Sequence, residues 1–90
     1  MTDPVPRRPR RITALPVERG PDGAVVVPAV ADPPVALNPT ALALWELCDG
    51  RTDVAEMVDA VCVLFEVEPT RARADVESVL ADMVAVGVIR

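Results

Sequence analysis

The stretch Leu37-Asn38-Pro39-Thr40-Ala41-Leu42-Ala43-Leu44-Trp45-Glu46-Leu47-Cys48-Asp49-Gly50 decides the fold of this 90-residue chain. Before it, apolar residues come in short runs broken by prolines; after it they recur at helical spacing. Asn38 has the side chain that accepts the free N–H groups of a first helical turn, and Pro39 suits the first helical position, where an N–H would have no partner. Leu44, Leu47 and Cys48 then share one apolar face, and Gly50 stops the helix. These residues predict a first helix over 39–48.

Downstream, Thr52 is placed to cap a second helix whose first turn carries Asp53 and Glu56, where the positive end of the helix dipole favours them. Val54, Val58, Val61, Cys62 and Phe65 recur at helical spacing, with an end near Glu66. Pro69 opens a third helix, in which Val76, Val79, Leu80 and Met83 form the i, i+3, i+4, i+7 stripe of a core-facing surface. Gly87 ends it, and Val88-Ile89 suits a short end strand.

Upstream the period is 2. Ile12, Ala14 and Leu15 start a strand that fades at Pro16, and Pro21-Asp22-Gly23 is a turn of fixed φ, local side-chain bond and permissive glycine. Ala24–Val27 is the second strand. A turn through Ala31-Asp32-Pro33-Pro34 leads into the third, Val35-Ala36-Leu37. Pro28, Pro33 and Pro34 cannot donate to a ladder, which puts at least one strand at a sheet edge. The reading is an α+β domain over residues 12–90, three short N-terminal antiparallel strands followed by three helices. Residues 1–11, with Pro4, Pro6 and Pro9 among four arginines, read as a disordered arm.

Composition narrows the function. A chain this short buries only about 60% of the surface its unfolded form exposes, which argues against a deep active-site cleft. It is 51% hydrophobic with a positive mean hydropathy, enough for a core, yet Trp45 and Phe65 are the only aromatics. There is no His, Lys, Tyr or Gln, and Ser78 is the only serine. The usual bases near neutrality are missing, so no catalytic residues are assigned and the chain does not read as an enzyme. Cys48 and Cys62 lack further ligands for zinc and read as small buried hydrophobes in a reducing compartment. No metal or cofactor is expected.

The net charge is −5, but Arg7, Arg8, Arg10 and Arg11 all lie in the first eleven residues. Setting those and Asp3 aside leaves five arginines against thirteen acids, or −8. That balance disfavours nucleic acid and attracts a basic or neutral partner. With no apolar run behind the early charges, and none near the roughly 20 residues a membrane span needs, the chain reads as cytoplasmic and soluble.

Two parts of the sequence, taken together, resemble a known family. Leu37-Asn38-Pro39-Thr40-Ala41 followed by Trp45-Glu46-Leu47-Cys48-Asp49-Gly50 resembles the opening signature of the PqqD-like family. Ala74-Asp75-Val76, Val79-Leu80, Met83 and Val86-Gly87-Val88-Ile89 are similar to its closing pattern at matching spacing. The resemblance implies a winged-helix-like unit that binds the leader segment of a ribosomally made, post-translationally modified peptide. It implies no catalysis, only delivery to a separately encoded enzyme such as a radical S-adenosylmethionine enzyme, a peptidase or a cyclase. In that family the leader adds as a strand to the third strand and lies against the third helix. Carried onto this chain, the edge is Val35, Ala36 and Leu37, and the wall is Arg71, Asp75, Ser78 and Asp82, with Val76 and Val79 at the groove floor. Asp75 reads equally as a helix-dipole partner. Many relatives have a longer hairpin where this chain has Asp32-Pro33-Pro34, and two prolines shorten the usable ladder.

Two rival classes share the outline. A winged-helix DNA-binding domain needs a basic reading helix, whereas Asp75, Glu77 and Asp82 oppose Arg71 and Arg73. An acyl carrier needs a serine at a helix start, and Ser78 lies inside the last helix. Another protein-protein adaptor remains the general alternative.

Overall fold

The computed structural model describes residues 5–12, 17–26 and 34–90. Three antiparallel strands, β1 (Val17–Gly20), β2 (Gly23–Val26) and β3 (Val35–Leu37), precede three helices, α1 (Pro39–Leu47), α2 (Val54–Phe65) and α3 (Pro69–Ala85). The sheet order is β1-β2-β3, with Glu18 opposite Val25 and Val25 opposite Ala36. The expected α+β order holds. β1, however, begins at Val17 rather than Ile12, beyond the proline taken as its end. Residues 13–16 and the expected turn at Ala31, Asp32 and Pro33 lie outside the described residues, as does Val27.

Strand alternation sorts the sheet into two faces. Leu37 is buried, and Val17 and Val35 pack at the margin of the core, whereas Glu18 and Ala36 are exposed on the other face. Gly23 closes the turn at φ 128°, and a Cβ there would overlap the Leu37 carbonyl oxygen, so only glycine lets β2 approach β3 this closely.

α1 forms because its first turn is satisfied locally: Asn38 Oδ1 accepts from the Ala41 N–H at 2.8 Å, with Pro39 following it. The cap of α2 is Asp53, one residue later than the sequence suggested. Its carboxylate accepts from the Glu56 N–H at 2.8 Å while the Glu56 carboxylate accepts from the Asp53 N–H at 3.2 Å. Thr52 is committed elsewhere, because Asp49 accepts its N–H at 2.8 Å and its hydroxyl at 3.1 Å, together with the Arg51 N–H. Those bonds to the charged form hold the Asp49 carboxyl below its usual value. Glu68 caps α3 through the N–H groups of Thr70 and Arg71 and is likewise held low by them.

The core is Leu37 from the sheet, Leu44, Trp45 and Cys48 around α1, Met57, Val58 and Val61 from α2, and Ala72, Val76, Leu80 and Met83 from α3. Val88 and Ile89 close it from the C-terminus. Trp45 is a core residue, 5% exposed, and its indole N–H donates to the Val88 carbonyl at 3.3 Å. Phe65, expected on the core stripe of α2, is instead 41% exposed. α2 ends there, with Glu66 at φ 52°, and its last turn projects past the core. No helix among the described residues is long and apolar enough to cross a membrane.

Residues 7–11, expected in a disordered arm, are held as a strap. Val54 N–H donates to Arg7 O at 3.3 Å, Gly50 N–H to Pro9 O at 3.0 Å and Arg11 N–H to Cys48 O at 2.8 Å. Arg10 exchanges two bonds with Arg90, at 2.8 and 2.9 Å, and Ile12 N–H donates to Val88 O at 3.2 Å. Pro9 is fully buried. Composition pointed the other way because it weighs side chains, whereas these bonds use backbone groups; even proline keeps its acceptor.

Two outcomes follow from this packing. Removing the reciprocal cap with Asp53→Ala lowers stability by about 1 kcal/mol and the melting temperature by about 4–8 °C, read by thermal denaturation. The Cys48 thiol is buried, donates to Leu44 O at 3.2 Å, and is pushed up to about 12 by burial, against the opposing pull of Arg11. The unfolded chain loses this proton first. Stability is therefore full below about pH 9 and falls as pH climbs towards 12, a slope that Cys48→Ala removes in pH-resolved denaturation.

Candidate functional site

Among the described residues β3 pairs with β2 on one side only, which leaves its other edge open. α1 packs on both β2 and β3 and also on α3, while α3 packs chiefly on α2. α1 thus touches both that strand and the third helix. The edge is three residues long, and the exposed Pro34 before it has no N–H to offer.

The nine residues nominated from the sequence fall into three environments. Leu37 and Val76 are buried, Val35 and Val79 are half-buried, and Ala36, Arg71, Asp75, Ser78 and Asp82 are exposed. Asp75, Val76 and Val79 meet in an apolar pocket of about 140 Å³, completed by Thr40 and Leu44 of α1 and by Val61, Phe65 and Val67. Val76 lies beneath this pocket with no exposed surface, so a ligand there meets Val79 and Phe65. Ala36 and Leu37 line a different, broader hollow of about 580 Å³ along the hairpin, with Glu18, Val25 and Asn38. The strand residues and the helix residues therefore line two different pockets, with Asn38 at the one and Thr40 and Leu44 at the other.

Asp75 is seven residues beyond the cap Glu68, which leaves it no capping duty. It forms an exposed pair with Arg71 at 3.9 Å, and Arg73 pairs with Glu77 at 3.3 Å. Exposed pairs of this kind contribute about 0.3–0.5 kcal/mol each, so they set the charge of the rim more than its stability. With Glu77 and Asp82 also exposed, α3 presents no cationic face for a nucleic-acid groove.

Thr40, Leu44, Val61, Phe65 and Val67 were not nominated from the sequence. The available sign was the run Val63-Leu64-Phe65 at the end of α2, which is apolar on consecutive residues where one helical face cannot bury all three; Val63 and Leu64 are 79% and 65% exposed.

The geometry agrees with known proteins. The family model described as coenzyme PQQ synthesis protein D (PqqD) matches residues 24–89. A solved structure of lasso peptide synthetase B1 complexed with the leader peptide superimposes with a TM-score of 0.79 at 19% identity, covering 92% of this chain and 98% of that one. The solution structure of the PqqD truncation of Methylobacterium extorquens PqqCD, described as a functional stand-alone recognition element for ribosomally synthesised and post-translationally modified peptides, gives 0.74 at 19% identity over 99% of each chain. A comparison with curated proteins finds no match. With a family match that runs from β2 to the last buried residue, this chain belongs to the PqqD family.

Proposed function

We propose that the chain is a non-catalytic recognition element that captures the leader segment of a ribosomally made precursor peptide and delivers it to a separately encoded tailoring enzyme. The observation that carries this reading is the family match over residues 24–89, which contains both β3 and α3. The two structures of the same fold add support, one being described with a leader peptide bound and the other as a stand-alone recognition element. A winged-helix-like arrangement, a cytoplasmic setting, and a radical S-adenosylmethionine enzyme, peptidase or cyclase as the recipient belong to this proposal.

In this mechanism an extended leader pairs with the open edge of β3 and lays its side chains towards α3. Each backbone bond contributes about 1 kcal/mol net, so three residues supply about 3 kcal/mol, while micromolar affinity needs about 8. Side chains must provide the remainder. An apolar leader residue seated on Phe65, Val67 and Val79 buries the required surface, and Asp75 with Arg71 at the rim reads the charge of its neighbours. Val35, Ala36 and Leu37 supply the backbone edge, with Ser78 and Asp82 further along the wall.

The test titrates the labelled chain with a candidate precursor leader peptide. Amide shifts are expected at Val35–Leu37 and across Arg71–Asp82, and Val79→Asp, which places a carboxylate at the pocket, weakens binding at least about tenfold. Shifts confined to the strap at residues 7–11 would sink the proposal.

A further inference from the structure

The nine arginines divide sharply by partner. Arg19, Arg71 and Arg73 each form a salt bridge, to Glu46, Asp75 and Glu77. Among the described residues the other six, Arg7, Arg8, Arg10, Arg11, Arg51 and Arg90, form none. Those six are also gathered in space. Arg7 O, Pro9 O and the Arg10 backbone are bonded to Val54, Gly50 and Arg90, which draws residues 7–10, 50–51 and 90 into one patch. Arg7, Arg8, Arg10, Arg51 and Arg90 are exposed there. Arg11 is occupied, its guanidinium donating to the carbonyls of Trp45 and Glu46 and lying 5.5 Å from the centre of the Trp45 ring.

Acids are present at the patch, and their carboxylates keep their charge while they accept from backbone N–H groups. Asp49 accepts from Arg51 N–H and from Thr52, and Asp53 and Glu56 cap each other's N–H groups. Arg7 also borders a hollow with Arg73 and Glu77, where Glu77 is already paired with Arg73. Six arginines against Asp49, Asp53 and Glu56 leave the patch at +3, while the other described residues hold nine acids against three arginines, or −6. The molecule is therefore polarised, with a cationic patch on an anionic body.

We propose that this patch docks an acidic surface of a partner protein. A polyanionic nucleic acid would be repelled by the remaining body, and no exposed aromatic lies among residues 7–11, 50–51 and 90 to stack on bases. The strap sits at the C-terminal end of α1 and β3 feeds its N-terminal end. The patch and the open strand are thus separated by the length of a nine-residue helix, about 13 Å, which lets a protein hold the patch while a peptide occupies β3. The inference does not depend on the leader reading, since it concerns different residues and a different readout.

The experiment titrates the full labelled chain with a decaglutamate peptide and with a neutral peptide of equal length, in about 50 mM and about 300 mM salt, where the screening length differs by about 2.4-fold. Decaglutamate is expected to shift the amides of residues 7–11, 50–51 and 90 at low salt, and the neutral peptide to leave them in place. The triple variant Arg7→Ser, Arg8→Ser, Arg10→Ser keeps every backbone bond of the strap and weakens binding by roughly tenfold; the matching triple lysine variant restores it. Arg51→Ser, outside the strap, gives a smaller loss in the same direction. Shifts elsewhere, or binding indifferent to salt, overturn the proposal. So does tighter binding of a random DNA duplex, or a salt-sensitive dimer in sedimentation, which would make the acidic partner a nucleic acid or a second copy.

Discussion

The two ends of the chain close on each other over the C-terminal end of α1, and Trp45 is where they meet. Its ring is buried, its N–H is satisfied by the Val88 carbonyl, and the Arg11 guanidinium lies near its face while donating to the last carbonyls of the helix. A cation at that end offsets the partial negative charge of a helix terminus. Backbone bonds from Ile12 to Val88 and between Arg10 and Arg90 then tie the strap to the C-terminus. In a domain of this size the core alone is marginal. The bonds between residues 10–12 and 88–90 hold Val88 and Ile89 in the core.

With its far end fixed, α1 becomes the reference for the rest. It packs against the sheet through β2 and β3 and against the helical pair through α3. Leu44 shows the consequence: it is buried in the core yet also lines the pocket beside Val76 and Val79. The position of the proposed binding face therefore follows from the helix that Asn38 and Pro39 start, and a change in that cap moves strand and groove together.

How much of this was legible in the sequence depends on whether a feature is carried by side-chain type or by backbone. Asn38-Pro39, Pro69 and Gly87 marked helix limits that the structure reproduces, because each residue has a local conformational reason to be there. Thr52 misled because two adequate caps stand side by side, and Asp53 wins by exchanging bonds with Glu56 while Asp49 claims Thr52. Ile12 misled for another reason. Its pairing partner, Val88, is 76 positions away along the chain, and no local period reveals a contact of that range. The same holds for the pocket, where Phe65 and Val67 join Val79 only through the packing of α2 on α3.

The proline before β3 bears on why a three-residue edge is compatible with a binding role. An exposed strand edge is a template for any extended chain, including another copy of the same protein, and long apolar edges aggregate. Pro34 and the brevity of β3 limit the ladder to a few bonds, too little to hold a partner by backbone alone. In the proposed binding mode selectivity is then transferred to side chains, since a leader would gain enough only by also filling the pocket at Val79 and suiting the Arg71–Asp75 rim. In that mode the feature that makes the edge look weak would make capture depend on sequence rather than on β-structure in general.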